Sequence, residues 1–219
     1  MPRGRASGYD LQRGLILARA ADLFARQGYT ATTMNQVATA CNISKPALYH
    51  YVRDKYQLLV EIAGDHIERL KLLIVDVRRL EPLEPALRLR LLIAAFLDVY
   101  ADSQAAHRVL TEDVKFLEPV DRERVLDGQR DVVAAFAEAV LAARPELRQT
   151  GLHKPLTMLL FGMMNWMFTW LQPGGALTHA AMAPVVADLF FGGLAAVRLE
   201  PDGAAPGAGA PAPQLGRVA

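Results

Sequence analysis

The sequence is poor in the side chains that form covalent cross-links and metal clusters. Its 219 residues include one cysteine, Cys41. A single cysteine excludes an internal disulfide and a zinc ribbon. We therefore expect a chain that folds without disulfides or structural zinc, in the reducing cytoplasm. Hydrophobic residues make up 52% of the chain, which is enough to fill a sizeable core.

Catalytic motifs are also missing. The serines are Ser7, Ser44 and Ser103, and none lies in a Gly-x-Ser-x-Gly elbow. The sequence contains neither a Walker loop after a strand nor a His-Glu-x-x-His motif. The histidines, at positions 50, 66, 107, 153 and 179, are dispersed, so we expect solvated or core side chains rather than metal ligands. We therefore expect no enzyme, no cofactor and no metal site.

Long uninterrupted apolar runs are scarce as well. Tyr9, Asp10 and Arg13 follow the charged N-terminus, unlike the apolar stretch of a signal peptide. The most apolar segment, residues 152–171, includes Lys154 and would be a poor membrane span. We expect a buried helix there and no membrane association.

Charge is divided unevenly along the chain. Residues 1–56 carry eight basic and three acidic side chains, a net charge of +5, and the remainder carries −4. A basic N-terminal part on an acidic body suggests that only the N-terminal part meets a polyanion. Nucleic acid is the common case.

Apolar residues recur at spacings of three and four, which predicts an all-α fold. Helices are expected at residues 10–27, 55–79, 85–101, 104–113, 121–143, 153–171 and 178–198, besides two short ones between residues 33 and 51. The predicted divisions are a flexible basic arm at 1–9, a three-helix head at 10–56, a larger helical ligand-binding and dimerisation body at 57–199 and a disordered tail at 200–219.

The two short helices form the strongest motif. Thr33 and Gln36 have capping-box spacing for a helix through residue 40, and Ser44 caps a second helix with Pro46 in its first turn. With the tight turn at 41–43 this is the pattern of a helix-turn-helix, whose second helix enters the major groove of DNA. The alternative is an ordinary helical corner with solvated side chains.

Three side chains of this motif are placed to contact DNA. Lys45, at the start of the second helix, can reach a phosphate or a guanine edge. Tyr49 and His50 can hydrogen-bond to the DNA backbone or contact a thymine methyl group. Leu48 and Tyr51 are expected in the core instead.

The segments AADLFARQGY (20–29), TTMNQVA (32–38) and SKPALYHYVRDK (44–55) resemble the signature of the TetR/AcrR family. The resemblance covers about residues 10–60. It implies a homodimer that represses by occupying a palindromic operator and leaves it when a small molecule binds the body. The DNA-facing sites that it implies are Thr33, Lys45, Ala47, Tyr49, His50 and Lys55. Arg3, Arg5 and Arg13 either extend this footprint as an arm or keep the terminus soluble.

Residues 161–175 are the most informative part of the body, since they are apolar around the whole expected helix. Trp166 and Trp170 would share a face with Gly162, and Met163 and Met167 suit a pocket for a flexible apolar ligand. Plain core and dimer packing accounts for the same composition, and the periodicity alone favours it.

The Trp-x-x-x-Trp pattern followed by Pro-Gly-Gly resembles the bodies of TetR-type regulators that respond to acyl-CoA thioesters. That resemblance implies an acyl-CoA effector, although another hydrophobic small molecule remains the alternative. The implied ligand-binding residues are Phe96, Tyr100, Phe116, Met163, Trp166 and Trp170. The alternative classes are a thioester-handling enzyme and an architectural module without DNA contact.

The last helix carries the pattern of a dimer interface. Gly192 and Gly193 permit close approach, and the larger Leu189, Phe190 and Phe191 fill the surrounding space. Two such helices from each subunit would form a four-helix contact.

Overall fold

The computed structural model describes residues 4–80, 82–171 and 175–197, with side chains from residue 8 onward. All regular secondary structure in these ranges is helical, which confirms the predicted all-α fold. The predicted tail at 200–219 lies outside the described residues.

The N-terminal head contains three helices. They are α1 (Gly4–Gln27), α2 (Met34–Ala40) and α3 (Lys45–Leu48). Gly28 ends α1 with a φ of 88°, a left-handed conformation that glycine adopts without strain.

Helix α1 begins at Gly4 rather than near residue 10, so residues 4–9 of the predicted flexible arm are helical. The sequence concealed this because Gly4, Ser7 and Gly8 are weak helix formers. Arg3 and the side chain of Arg5 lie outside the described residues. Arg13 forms an ion pair of 2.5 Å with Glu61 instead of belonging to an arm.

A long helix, α4 (Lys55–Arg79), joins the head to the body. The Asp54 carboxylate caps it by accepting the Gln57 amide N–H at 2.7 Å, and this bond is the main reason that the pKa of Asp54 is lowered. The span of α4 agrees with the helix predicted over 55–79. One face of the helix is buried along its whole length, from Leu58 to Val77.

Within the described residues, the body continues with six further α-helices and two 3-10 turns. The α-helices are α5 (Pro85–Asp102), α6 (Gln104–Glu112), α7 (Pro119–Ala143), α8 (Leu147–Thr150), α9 (His153–Asn165) and α10 (His179–Ala196). The 3-10 turns are Val114–Phe116 and Trp166–Thr169. The single helix predicted over 153–171 therefore ends at Asn165, and α8 was not predicted.

An aromatic cluster lies at the centre of the body. Phe96 and Phe136 meet edge to face with their ring centroids 4.7 Å apart, and Phe161 lies 4.9 Å from Phe136. These contacts join α5, α7 and α9. Phe96 and Phe136 are fully buried, so the cluster is core rather than surface.

Among the described residues, α10 is the one helix long and apolar enough to cross a membrane by length and composition. One third of that helix is buried inside the chain. Its Asp188 also pairs with Arg90 of α5 at 2.7 Å, and its Phe190 is buried. These contacts place α10 as a packed helix of the body.

Candidate nucleic-acid interface and ligand cavity

The first helix of the motif is fixed by the predicted capping box. The Gln36 amide N–H donates to Thr33 Oγ1 at 3.3 Å, and the Thr33 amide N–H donates to Gln36 Oε1 at 2.8 Å. Two amide donors at the start of α2 are thus satisfied without water. Val37 and Ala38 hold the other side of the helix in the core.

The turn between α2 and α3 depends on Asn42, which has a φ of 54°. Asparagine tolerates this left-handed conformation better than most residues. The turn closes where the Ile43 amide N–H donates to the Ala38 carbonyl at 3.0 Å. Cys41 beside it is 7% exposed, and burial raises the pKa of its thiol, which suits a packing role.

Helix α3 presents its first turn to solvent. Ser44 Oγ accepts the Ala47 amide N–H at 3.2 Å, as the cap pattern predicts. Lys45, Tyr49 and His50 are exposed, Ala47 is half-buried and Leu48 is fully buried. The helix ends at Leu48, earlier than predicted, so Tyr49 and His50 follow the helix.

A contact that the sequence did not reveal braces this surface. The Tyr9 ring of α1 stacks on Tyr51 with a centroid distance of 4.9 Å, and the Tyr9 hydroxyl donates to the His50 carbonyl at 3.5 Å. The N-terminal extension of α1 is therefore packed beside the residues expected to meet DNA. Nothing in the local pattern around Tyr9 signals a partner 42 residues away.

Lys55 has a different environment from the one its family position implies. Its ammonium donates to the carbonyls of Tyr29, Thr30 and Thr32 at 2.9, 3.2 and 2.9 Å, and lies 4.5 Å from the Tyr29 ring centroid. An ammonium has three donors, so these carbonyls occupy all of them. The structure gives Lys55 a bracing role between α1 and α2 instead of a free charge for DNA.

The body contains a cavity of about 180 Å³ among five helices. Its walls come from α4, α5, α6, α7 and α9, and its apolar lining includes Ile67, Leu70 and Phe161. Thr111 and Met158 at its edge are exposed, so the cavity opens between α6 and α9. The volume is below the roughly 300–1,000 Å³ of typical ligand pockets, and it suits a small group.

A polar cluster forms one wall of this cavity. The Tyr100 hydroxyl donates to Asn165 Oδ1 at 2.9 Å, and the Tyr100 ring stacks on His107 with centroids 3.7 Å apart. His107 Nδ1 lies 3.4 Å from His66 Nε2. His107 Nε2 is buried without a hydrogen-bond partner.

Burial controls the charge of this cluster. It lowers the pKa of His66 to about 4, with Arg69 contributing, and the pKa of His107 to about 3, with His66 and His179 contributing. Burial also raises the pKa of Tyr100. Both imidazoles and the phenol are therefore neutral near pH 7.

The predicted ligand residues divide between the cavity and other places. Tyr100 lines the cavity, whereas Phe96 belongs to the aromatic core beside it and Met163 is half-buried on α9. Phe116 is 38% exposed and lies 5.5 Å from the Tyr29 ring, so it packs against the head. Phe116 does not line this cavity, so its place among the ligand-binding residues stays a prediction without a contact to support it.

The two tryptophans also lie away from the cavity in which they were expected. Trp166 and Trp170 are 66% and 49% exposed, and neither lines the cavity. The cause is the end of α9 at Asn165, since the following 3-10 turn has a different angular spacing from an α-helix. The continuous helical face that would have grouped them with Gly162 does not form.

Several residues that line the cavity were not predicted from the sequence. His107, Gln129 and Asn165 belong to three different helices, and the sequence shows no motif that joins them. For Gln129 a signal was available, since it interrupts a helical stripe that includes Leu126 and Val133. Among the described residues, no group of three or more metal-binding side chains is placed to hold an ion.

An exposed apolar surface runs along the last two helices of the body. Its large members are Met158, Leu159 and Trp166 on or just after α9, and Val185 and Leu189 on α10. Gly162, Gly192 and Gly193 have open space where a side chain would be. We call this set the α9–α10 face. A contiguous apolar surface with small residues suits a partner that approaches closely.

Comparison with known families gives two matches. Residues 16–62 match the family described as bacterial regulatory proteins of the tetR family, and residues 82–194 match the tetracyclin repressor-like C-terminal domain. A solved TetR-family transcriptional regulator from Bordetella parapertussis is 33% identical, with a TM-score of 0.78 over 86% of this chain and 98% of that one.

Two curated relatives are transcription factors of opposite sign. The activator FasR of Mycolicibacterium smegmatis is 28% identical over 117 residues, and the match spans 53% of each protein. The repressor KstR2 of Rhodococcus jostii is 24% identical over 89% of this chain and 96% of its own length. The fold also matches AibR, solved with isovaleryl coenzyme A and operator DNA, at 23% identity and a TM-score of 0.67 over 81% and 97% of the chains.

Proposed function

Because the chain belongs to the TetR family of bacterial regulatory proteins, we propose that it is a homodimeric, cytoplasmic transcriptional repressor. Its head holds double-stranded operator DNA. Its body releases that DNA when a small, largely apolar effector of the acyl-CoA type enters the cavity. The single observation that carries the proposal is the exposed first turn of α3 in a basic head.

The DNA-binding proposal rests on exposure and charge. Thr33, Lys45, Tyr49 and His50 are exposed around the helix-turn-helix, and Ala47 is half-buried between them. Residues 1–56 carry the positive charge of the chain, whereas the body is negative. We assign phosphate and base contacts to these five residues and leave Lys55 as a brace.

The dimer proposal rests on the α9–α10 face. Leu159 and Leu189 are each 65% exposed, which is unusual for leucines on neighbouring helices unless a partner covers them. The occupant that we propose is the same face of a second copy of this chain. Two helices from each subunit then form a four-helix contact, as family members that bind palindromic operators require.

The effector proposal rests on the cavity and its size. About 180 Å³ holds a short acyl group and excludes a whole coenzyme A, which must stay outside. The AibR complex with isovaleryl coenzyme A supports a short acyl thioester as the class to test first. The alternative effector is another small hydrophobic molecule.

The sign of regulation is proposed from the family and from KstR2, which is named a repressor. FasR, which is named an activator, represents the opposite sign. A reporter fused to the target promoter distinguishes them, because deleting a repressor raises expression and deleting an activator lowers it.

Binding to DNA at several salt concentrations tests the proposal against its alternatives. Fluorescence anisotropy of a labelled fragment from upstream of the protein's own coding sequence should show affinity that falls steeply with salt, since binding releases counterions. Turnover of an acyl thioester without DNA binding would support an enzyme instead. If the protein neither binds DNA nor turns over a thioester, the architectural module is the reading that remains.

A further inference from the structure

The polar groups that line the cavity are all uncharged. They belong to Tyr100, His107, Thr111, Gln129 and Asn165. The burial that depresses the pKa of His107 keeps its imidazole neutral near pH 7. No Asp, Glu, Lys or Arg side chain forms part of this lining. An ion that entered would lose its hydration without gaining a counter-charge.

The free hydrogen-bonding groups of this wall include donors as well as acceptor oxygens. The Tyr100 hydroxyl proton and Asn165 Oδ1 satisfy each other, which leaves the Asn165 amide group as a donor. The Thr111 hydroxyl lies within hydrogen-bond distance of the His107 and Arg108 carbonyls of its own helix. His107 Nε2, on a side chain that is 3% exposed, has no partner.

The contact between the two histidines makes the tautomer of His107 depend on that of His66. His66 Nε2 and His107 Nδ1 are 3.4 Å apart, so one of these nitrogens carries a proton and the other accepts it. Neutral imidazole more often carries its proton on Nε2. In that form His66 donates to His107 Nδ1, and His107 retains an N–H at Nε2 as a donor.

We infer that the part of the effector inside the cavity is uncharged and carries a carbonyl oxygen that accepts a hydrogen bond from His107 Nε2. The inference rests on the proposed function in one respect, that this cavity is the effector site. The ligand class is then a short acyl thioester, ester or ketone. The corresponding free carboxylate is excluded, because its charge would be buried among neutral groups.

Satisfying a buried orphan donor gives this contact its selectivity. A buried N–H group without a hydrogen-bond partner is energetically unfavourable. A ligand that has no acceptor atom leaves this group unsatisfied and so binds more weakly. Stacking on Tyr100 holds the His107 ring in place, so the ligand does not have to order the donor.

Calorimetric titration of the full-length dimer at pH 7 tests the inference with three probes. They are isovaleryl-CoA, methyl isovalerate and isovalerate, which share one branched chain and differ at the carbonyl. We expect the thioester to bind and the free acid to bind at least tenfold more weakly. Binding of the ester as well shows that the cavity recognises the carbonyl without coenzyme A. Binding of the thioester alone assigns the cavity to acyl thioesters.

His107→Phe removes the donor and keeps an aromatic ring against Tyr100, and it should weaken thioester binding tenfold or more. His153→Phe makes the same change outside the cavity and should leave the affinity unchanged. In unmodified protein labelled with nitrogen-15 at histidine, thioester binding should shift the His107 Nε2 resonance, so this readout does not depend on a folded variant.

Three results would overturn the inference. They are free-acid binding as tight as thioester binding, an unmoved His107 Nε2 resonance under saturating thioester, and no binding of any probe up to millimolar concentration. DNA binding measured on the same protein separates the two proposals. DNA binding without probe binding overturns this inference alone, and no DNA binding overturns the proposed function.

Discussion

Lys55 and Tyr49 lie in the same DNA-binding head but differ in how far each side chain is free to contact a partner. Both occupy positions that the TetR resemblance marks as DNA-facing, yet the Lys55 ammonium is held by three carbonyls whereas 46% of the Tyr49 side chain is exposed. A sequence match gives the position in the motif. The hydrogen bonds around that position decide whether the group is free to bind DNA.

Tyr49→Ala is expected to weaken operator binding by about tenfold, because it removes one hydrogen bond and an aromatic contact at the DNA surface. Since Tyr49 packs little against the core, the melting temperature should hardly change. Tyr49→Phe is the matched control that isolates the hydroxyl. Anisotropy titrations measure the affinity, and an affinity equal to that of the unmodified protein would remove Tyr49 from the interface.

The histidine pair predicts a loss of stability in mild acid. In the folded state both imidazoles have pKa values far below 6.5, the value in the unfolded chain. Below pH 6.5 the unfolded state therefore binds more protons than the folded state, which favours unfolding. Stability is full above about pH 6.5 and decreases as the pH falls toward 4. The loss is at most about 1.4 kcal/mol per pH unit for each histidine.

Urea unfolding between pH 7 and pH 5, at one fixed protein concentration, measures this effect. His107→Phe should flatten the decrease, since one of the two neutral imidazoles is gone. His50→Phe, at an exposed histidine, is the control and should retain the full slope. Equal slopes in all three proteins would contradict the assignment of the acid sensitivity to the buried pair.

At the scale of elements, α4 and α7 pack closely at Gly128. A Cβ atom on Gly128 would lie 2.9 Å from Ile67 Cγ1. A Cβ atom on Gly64 of α4 would meet open space. Gly128→Ala should therefore destabilise the protein by about 1–3 kcal/mol through overpacking, despite the better helix propensity of alanine. Gly64→Ala, the matched control, should stabilise it by about 0.5–1 kcal/mol.

Thermal unfolding of both variants checks this pair. The prediction is that the two melting temperatures move in opposite directions from that of the parent protein. If both melting temperatures rose, helix propensity rather than the α4–α7 contact would determine the outcome. If Gly64→Ala lowered the melting temperature, it would not be a valid control for the contact.

Local signals at the ends of elements were sufficient to predict much of the fold. The caps at Thr33, Ser44 and Asp54 and the glycine at position 28 act through bonds within a few residues, so the sequence contains their whole cause. Helix α1 was predicted too short because its N-terminal turns are stabilised by Tyr9 stacking on Tyr51, a contact that is distant in sequence.

The end of α9 and the cavity were beyond local reasoning for a related reason. The sequence is largely apolar on both sides of Trp166, so hydrophobicity alone does not mark the change to a 3-10 turn at that residue. The cavity combines single residues from five helices, and only the packing of those helices brings them together. The sequence therefore predicted a ligand-binding body, whereas of the six residues named for the ligand only Tyr100 lines the cavity.

At the scale of the whole molecule, the α9–α10 face makes a prediction about assembly. Leu159→Glu places a charge at the proposed subunit contact and should convert the dimer to a monomer. Leu72→Glu, on α4 and 64% exposed, is a matched control that should remain dimeric. Light scattering after size exclusion measures the mass, and a dimeric Leu159→Glu variant would place the interface elsewhere.

Helix α4 is the physical connection between cavity and head. Ile67 and Leu70 line the cavity, His66 contacts His107, and Glu61 of the same helix pairs with Arg13 of α1. In a dimer on successive major grooves, the heads must match a repeat of about 34 Å. We propose that an occupied cavity shifts α4 enough to break this match, so that the effector releases DNA without touching the head.

A gel-shift titration tests the central claim most directly. The purified protein is bound to DNA from upstream of its own coding sequence, and a panel of short acyl-CoAs is added, with free coenzyme A as the control. The account predicts that the DNA is bound without ligand and released by one thioester, while coenzyme A alone has no effect. DNA binding that no acyl-CoA changes would contradict acyl-CoA control by the cavity and leave a DNA-binding protein with a different effector.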